Sequence, residues 1–152
     1  EFKLQKRAGD WADDSQLNSN NLTSITGDFS RGGDNIVAGG EGVYFVELDL
    51  VSNSLKGTLV NNMNLVGDFN GWNAADDAQQ MTWDAQNYCY VITGAGVTAN
   101  GWKFTTNNSW DVNLGGTVDN LVANGDNLSV VGTTIKLYPT RKTSDKIYCT
   151  VE

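Results

Sequence analysis

The chain has 152 residues, 39% of them hydrophobic, and a formal charge of −8 with no histidine. That balance disfavours nucleic acid, whose binding needs clustered Lys and Arg, and the missing histidine removes the commonest general base and transition-metal ligand. No apolar run reaches the roughly 18 residues of a membrane-spanning helix, which leaves a neutral partner, a cation or another protein.

Glycine occurs 17 times and proline once, with many Asn and Asp beside the glycines. This is turn chemistry for many short strands, so an all-β fold is expected. The amino end, Glu1-Phe2-Lys3-Leu4-Gln5-Lys6-Arg7, has neither a signal-peptide nor a lipid-attachment pattern and reads as the middle of a strand. A longer precursor is therefore expected. Phe2 to Gln5 alternates apolar and polar, Trp11 follows Gly9-Asp10, and residues 13–31 read as a long polar loop. The clearest period-2 signal follows. Tyr44, Val46, Leu48 and Leu50 share one face, Ser52-Asn53 turns, and Leu55, Gly57 and Leu59 return, which predicts a hairpin.

The next stretch, Asn64-Leu-Val-Gly-Asp-Phe-Asn-Gly-Trp72-Asn73, reads as a strand running into a Gly-rich turn that presents a tryptophan. The turn belongs at the surface because its backbone polar groups need water or partners. Residues 74–80 read as a polar loop, too short and Asp-rich for more than one helical turn. A strand is expected over residues 88–92, a turn at Thr93-Gly94-Ala95-Gly96, and a strand over residues 101–105. Asn107-Asn108-Ser109 then turns into Trp110. Gly125-Asp126-Asn127-Leu128 leads to a final hairpin of residues 133–138 and 146–151, joined by the basic turn Arg141-Lys142-Thr143-Ser144.

The chain repeats itself. Gly33-Asp34-Asn35-Ile36 matches Gly125-Asp126-Asn127-Leu128, and Leu55, Gly57 and Leu59 match Ile147, Cys149 and Val151, at an offset of about 92 residues. Phe2-Lys3-Leu4 with Trp11 matches Trp102-Lys103-Phe104 with Trp110 at a larger offset, because the first copy has a longer loop before Gly33. Residues 1–59 thus read as the C-terminal half of a first module and residues 60–152 as a complete one. A half-module exposes strand edges and an apolar face. Its missing strands are expected from the precursor or from another chain.

The order Val66-Gly-Asp-Phe-Asn-Gly-Trp72, Gly101-Trp-Lys-Phe104, Trp110, Gly125-Asp-Asn-Leu128 and a final hairpin resembles the tandem modules of SusE/SusF-type proteins. These are starch-binding lipoproteins of the bacterial outer-membrane surface. The Gly-Asp-Phe-Asn-Gly-Trp element is also similar to that of glycogen-binding domains. The resemblance implies tandem immunoglobulin-like β-sandwich modules, the first incomplete, acting as carbohydrate-binding modules anchored at the cell surface through a missing N-terminal part. It implies a neutral oligo- or polysaccharide ligand, with α-glucan favoured, and partners among outer-membrane glycan-uptake proteins or neighbouring subunits.

Family sites pair two aromatic platforms with a side chain that donates to sugar hydroxyls. The matching positions are Trp72, Lys103 and Trp110, with Asn107 and Asn108 as amides beside Trp110. Lys103 shares a strand face with Thr105, where a second basic residue would strengthen polar capture, and opposes Trp102 and Phe104, which read as core. Trp83, before a strand, reads as packing. An exported protein permits a disulfide between Cys89 and Cys149; two small buried thiols are the competing reading. No acid-rich spacing of a calcium loop accompanies Asp13-Asp14 or Asp76-Asp77, so no metal or other cofactor is expected.

An enzyme is the poorer reading. A glycosidase needs two carboxylates across a cleft, whereas these Asp residues fall in Gly/Asn turns, and no nucleophile elbow, Cys-His pair or phosphate loop appears. The alternative from a different class is an immunoglobulin-like adhesin or filament subunit completed by strand addition from a neighbour.

Overall fold

A computed structural model describes residues 4–5, 14–17, 29–31, 36, 40–49, 51–52, 54–140 and 144–152. The elements are strands and short 3-10 turns, so the protein is all-β. The chain divides into two compact units, Glu1–Leu59 and Val60–Glu152.

In the first unit β1 (Leu4–Gln5), β2 (Asp14–Leu17) and β3 (Phe29–Arg31) form an antiparallel sheet in that order. Residues 13–31 are therefore not one polar loop but contain two strands. Strands of three or four residues are too short to show a period, and their pairing is made by backbone groups that any sequence carries. Trp11 and residues 33–35 lie outside the described residues; Ile36 is a fully buried bridge residue. The alternation after Tyr44 gives the expected hairpin of β4 (Tyr44–Asp49) and β5 (Ser54–Leu59). It pairs Tyr44 with Leu59, Val46 with Gly57 and Leu48 with Leu55. Asp49 fastens the turn by accepting from Val51 N at 2.8 Å and Ser52 Oγ at 2.6 Å.

The second unit holds β6 (Met63–Gly67), β7 (Gln80–Asp84), β8 (Cys89–Val97), β9 (Trp102–Thr106), β10 (Ser109–Thr117), β11 (Asn120–Ala123), β12 (Gly132–Tyr138) and β13 (Tyr148–Val151). They hydrogen-bond in the order β11-β10-β9-β6-β7-β8-β12-β13. The β6–β7 join is short, pairing Met63 with Met81 and Asn64 with Gln80. An isolated bridge between Leu121 and Ile147 links the far ends. The result is a sandwich-like unit with two four-stranded halves.

Alternate residues of each strand face inward. Leu65, Trp102 and Phe104 from one half and Ile135 and Leu137 from the other have no exposed surface. Trp102 meets Phe104 edge-on at 5.3 Å and donates its indole N–H to Val130 O at 2.8 Å, so its one polar atom is satisfied. Both residues are core, as their positions on β9 predict.

Three local expectations change. Residues 93–96 are not a turn, because β8 runs through them. Gly94, at φ 75°, lies where the register against β12 shifts between the Thr93–Thr134 and Val97–Gly132 pairs, so the glycine forms a bulge that a turn reading mistakes for a reversal. β7 and β11, too short to show a period in the sequence, complete the two halves.

The third change concerns the cysteines. Cys89 and Cys149 are both buried and free, so no disulfide joins them. Cys149 pairs with Leu137, and Leu137 with Tyr90. Cys89 neighbours Tyr90 in β8 and therefore faces the other side of that half. Burial pushes the Cys149 thiol up to about 12 and raises the Cys89 thiol as well, which keeps both protonated and unreactive.

The internal repeat has a structural counterpart. Ile135 pairs with Val151 and Leu137 with Cys149 in β12–β13, the register in which Tyr44 meets Leu59 and Val46 meets Gly57. Leu128 is a buried bridge residue like Ile36, pairing with Trp102. Residues 141–143 of the basic turn lie outside the described residues.

Candidate functional site

Trp72 is carried by a compact turn. β6 ends at Gly67, a 3-10 turn covers Asp68–Asn70, and Trp72 N closes the loop on Gly67 O at 2.8 Å. Asn70 fills the inside of this turn. Its Oδ1 accepts from Gly67 N at 3.0 Å, and its Nδ2 faces Leu65 O at 3.3 Å, Asn73 O at 3.1 Å and Asp76 Oδ2 at 3.2 Å. Trp72 itself has φ 61°. A bulky side chain in the left-handed region costs roughly 1–2 kcal/mol, so the turn holds the ring in place against a local preference.

Asp68 ties the turn to the β8–β9 connection, accepting from Thr98 Oγ1 at 2.6 Å and Asn100 Nδ2 at 2.8 Å. Those bonds, the threonine hydroxyl first, hold its carboxyl below the usual aspartate value.

Trp110 reaches the site by a different route. β9 and β10 are joined by the two-residue turn Asn107-Asn108, both at φ 55°, the conformation that matches the twist of paired strands. Thr106 pairs with Ser109, but pairing resumes only at Thr105 with Asn113. Trp110, Asp111 and Val112 therefore form a bulge that pushes Trp110 out of the ladder, leaving it 42% exposed. Its ring centroid lies 6.1 Å from that of Trp72, with the planes inclined by 35°. The structure thus brings together two tryptophans far apart in sequence.

Lys103 is linked to the backbone of Trp110 through an intermediary. On β9 it pairs with Val66 of β6, on the face opposite Trp102 and Phe104. Its Nζ donates to Asn113 Oδ1 at 3.2 Å, and Asn113 Nδ2 donates to Trp110 O at 3.3 Å. The same face carries Asn64 and Thr105, paired across β6 and β9 and both fully buried. Asn64 Nδ2 donates to Asp76 O at 3.1 Å, whereas Asn64 Oδ1 and Thr105 Oγ1 have no hydrogen-bond partner among the described residues.

The remaining candidates divide. Asn107 is tied to the segment before β6: its Oδ1 accepts from Asn61 N at 2.8 Å and its N–H donates to Asn62 O at 3.1 Å. Its amide oxygen is thus engaged by the backbone of Asn61. Asn108 is exposed at the tip of the same turn. Trp83 packs edge-on against Tyr90 at 4.9 Å, in line with a packing role. Asp76 caps the next 3-10 turn through Ala78 N.

Two residues of the site, Asn70 and Asn113, are not singled out by the sequence reading. A signal for Asn113 exists: a strand interior disfavours asparagine, so an Asn amid apolar alternation needs a reason. Asn70 is hidden by its turn, where Asn is ordinary. Set against known proteins, the chain matches no protein-family model and no curated protein sequence.

Proposed function

We propose that the Val60–Glu152 unit is a non-catalytic glycan-binding module that stacks sugar rings on Trp72 and Trp110 and donates hydrogen bonds from Lys103. The observation that carries this reading is the tryptophan pair, two partly exposed rings 6.1 Å apart, one on a surface turn and one on a strand bulge. Each ring presents a large, rigid apolar face at low entropic cost, which suits the C–H face of a pyranose. The 35° inclination favours a curved chain such as an α-glucan over a flat ribbon. The left-handed φ of Trp72 adds support, since strain of this kind concentrates at ligand sites.

Magnitudes fit a lectin-like site. A sugar covering part of one ring contributes about 1–2 kcal/mol at about 25 cal/mol/Å². Two rings and a few hydrogen bonds of about 1 kcal/mol each, less ordering costs, give micromolar-to-millimolar affinity. The resemblance to starch-binding lipoprotein modules supports a starch-like ligand and a bacterial cell-surface setting, where tandem display raises avidity.

The test is calorimetry of the full chain with maltoheptaose, cellohexaose and mannohexaose. Binding of the α-glucan is expected, and Trp72→Ala and Trp110→Ala are each expected to abolish it. No binding by the wild-type chain to any of the three sinks the reading.

A further inference from the structure

The site contains a buried amide that touches both of its halves. Asn113 follows the Trp110 bulge directly and is 7% exposed. Its Oδ1 accepts from Lys103 Nζ at 3.2 Å, and its Nδ2 donates to Trp110 O at 3.3 Å and Asn124 Oδ1 at 2.8 Å. We propose that Asn113 is the positioning residue of the site, with one carboxamide setting both the direction of the Lys103 ammonium and the bulge that aims Trp110. For Lys103 the proposal rests on the glycan-binding reading; for Trp110 it stands without it.

The bulge needs such a group. Three residues leave the β9–β10 ladder together, so their backbone atoms must find side-chain partners or water. Ser109 Oγ accepts from Asp111 N at 3.1 Å, and Thr106 Oγ1 donates to Val112 O at 3.3 Å. The carbonyl of the tryptophan itself is met by Asn113 Nδ2 at 3.3 Å.

The amide can be oriented only one way. Its nitrogen faces two carbonyl oxygens and its oxygen faces an ammonium; a flip sets oxygen against oxygen and N–H against N–H. Asn124 locks the arrangement from the far side, since its own N–H donates to Asn113 O at 3.0 Å while it stands at φ 55°. One of the three N–H bonds of Lys103 is thereby fixed, and the other two point where the remaining geometry allows.

No other residue type fills these roles at once. An aspartate keeps the shape but offers oxygen to Trp110 O and Asn124 Oδ1, and it captures the Lys103 ammonium as an ion pair. A glutamine is one methylene too long for a site this closely packed.

The experiment compares the full-length wild type with Asn113→Asp, Lys103→Met and Trp72→Phe, reading two signals. The first is the far-ultraviolet exciton couplet of the Trp72–Trp110 pair, taken as the difference from Trp72→Phe. The second is maltoheptaose affinity. Asn113→Asp is expected to lose the couplet and to bind about tenfold more weakly or worse, the scale of one charge-assisted hydrogen bond. Lys103→Met is expected to lose affinity while keeping the couplet, which separates the cation from the platform. A folded Asn113→Asp protein with wild-type couplet and affinity overturns the proposal.

If Asn113→Asp does not fold, Asn124→Ala takes its place. It removes an exposed partner of the same amide and is expected to weaken the couplet; an unchanged couplet overturns the proposal. A wild type that binds none of the glycans ends the glycan reading alone, because the couplet still reports on Trp110.

Discussion

The two tryptophans of the site are held in opposite ways. The Trp72 turn is mainly a local object: Asn70 bonds groups between Leu65 and Asp76, and Trp72 N reaches back only to Gly67. A distant tether runs from Asp68 to Thr98 and Asn100. The Trp110 bulge has local supports as well, from Ser109, Thr106 and Asn113, but its origin is not local. It exists because the β9–β10 register jumps from Ser109 to Asn113, and Lys103 of β9 and Asn124, just after β11, reach it through Asn113. A short motif thus presents one ring, and strand pairing presents the other. Such a pair is rigid only when the whole sheet is formed.

This contrast can be broken at its local side first. Asn70→Ala removes the acceptor for Gly67 N and the donor for Leu65 O and Asn73 O in a partly buried turn. A loss of about 1–3 kcal/mol in urea-unfolding free energy is expected, together with loss of the Trp72–Trp110 couplet. A change below about 0.5 kcal/mol with the couplet intact shows that the turn is held by something other than Asn70.

The tether of the turn is sharpened by acid. Hydrogen bonds from Thr98 and Asn100 hold the Asp68 carboxyl below its ordinary value of 3.8. A depressed folded-state value stabilises the protein at pH above the unfolded value, and the contribution is lost as pH falls through the folded one. Asp68→Asn is therefore expected to flatten part of the wild-type loss of stability below about pH 4, measured as the difference between the two melting-temperature profiles. Asp49, Asp84 and Asp119 are lowered by similar turn contacts, so the wild-type profile alone does not isolate Asp68. Superimposable profiles for wild type and variant show that the tether is not formed in solution.

The smallest effect belongs beneath the long-range side. Thr105 is fully buried on the face of Lys103, and its hydroxyl has no hydrogen-bond partner among the described residues. Thr105→Val keeps the shape and removes an unpartnered polar atom, so a change between zero and about 1 kcal/mol of stabilisation is expected. Destabilisation beyond about 1 kcal/mol reveals a partner for that hydroxyl.

Much of this molecule was legible in its residues. The alternation from Tyr44 to Leu59 specified the β4–β5 hairpin, because apolar residues recur with period 2 on both sides of the Ser52-Asn53 turn. Trp102 and Phe104 read as core for the same reason, and the Gly-rich run after Val66 read as a surface turn because its chemistry is local. β2, β3, β7 and β11 did not read as strands. They are short, and their stability comes from neighbours already in place. Gly94 looked like a reversal because a bulge and a turn ask for the same backbone freedom.

The sequence by itself determined the all-β class, the repeated hairpin and the presentation of Trp72, all consequences of side-chain period and turn chemistry over a few residues. Only the tertiary structure decided that Trp110 leaves its ladder and stops 6.1 Å from Trp72, and that Asn113 bonds its carbonyl. It also decided that Cys89 and Cys149 face opposite sides of β8–β12–β13. Those outcomes depend on register between strands far apart in the chain. Register is a property of the assembled sheet, set by the sum of many cross-strand pairs and visible in none of them alone.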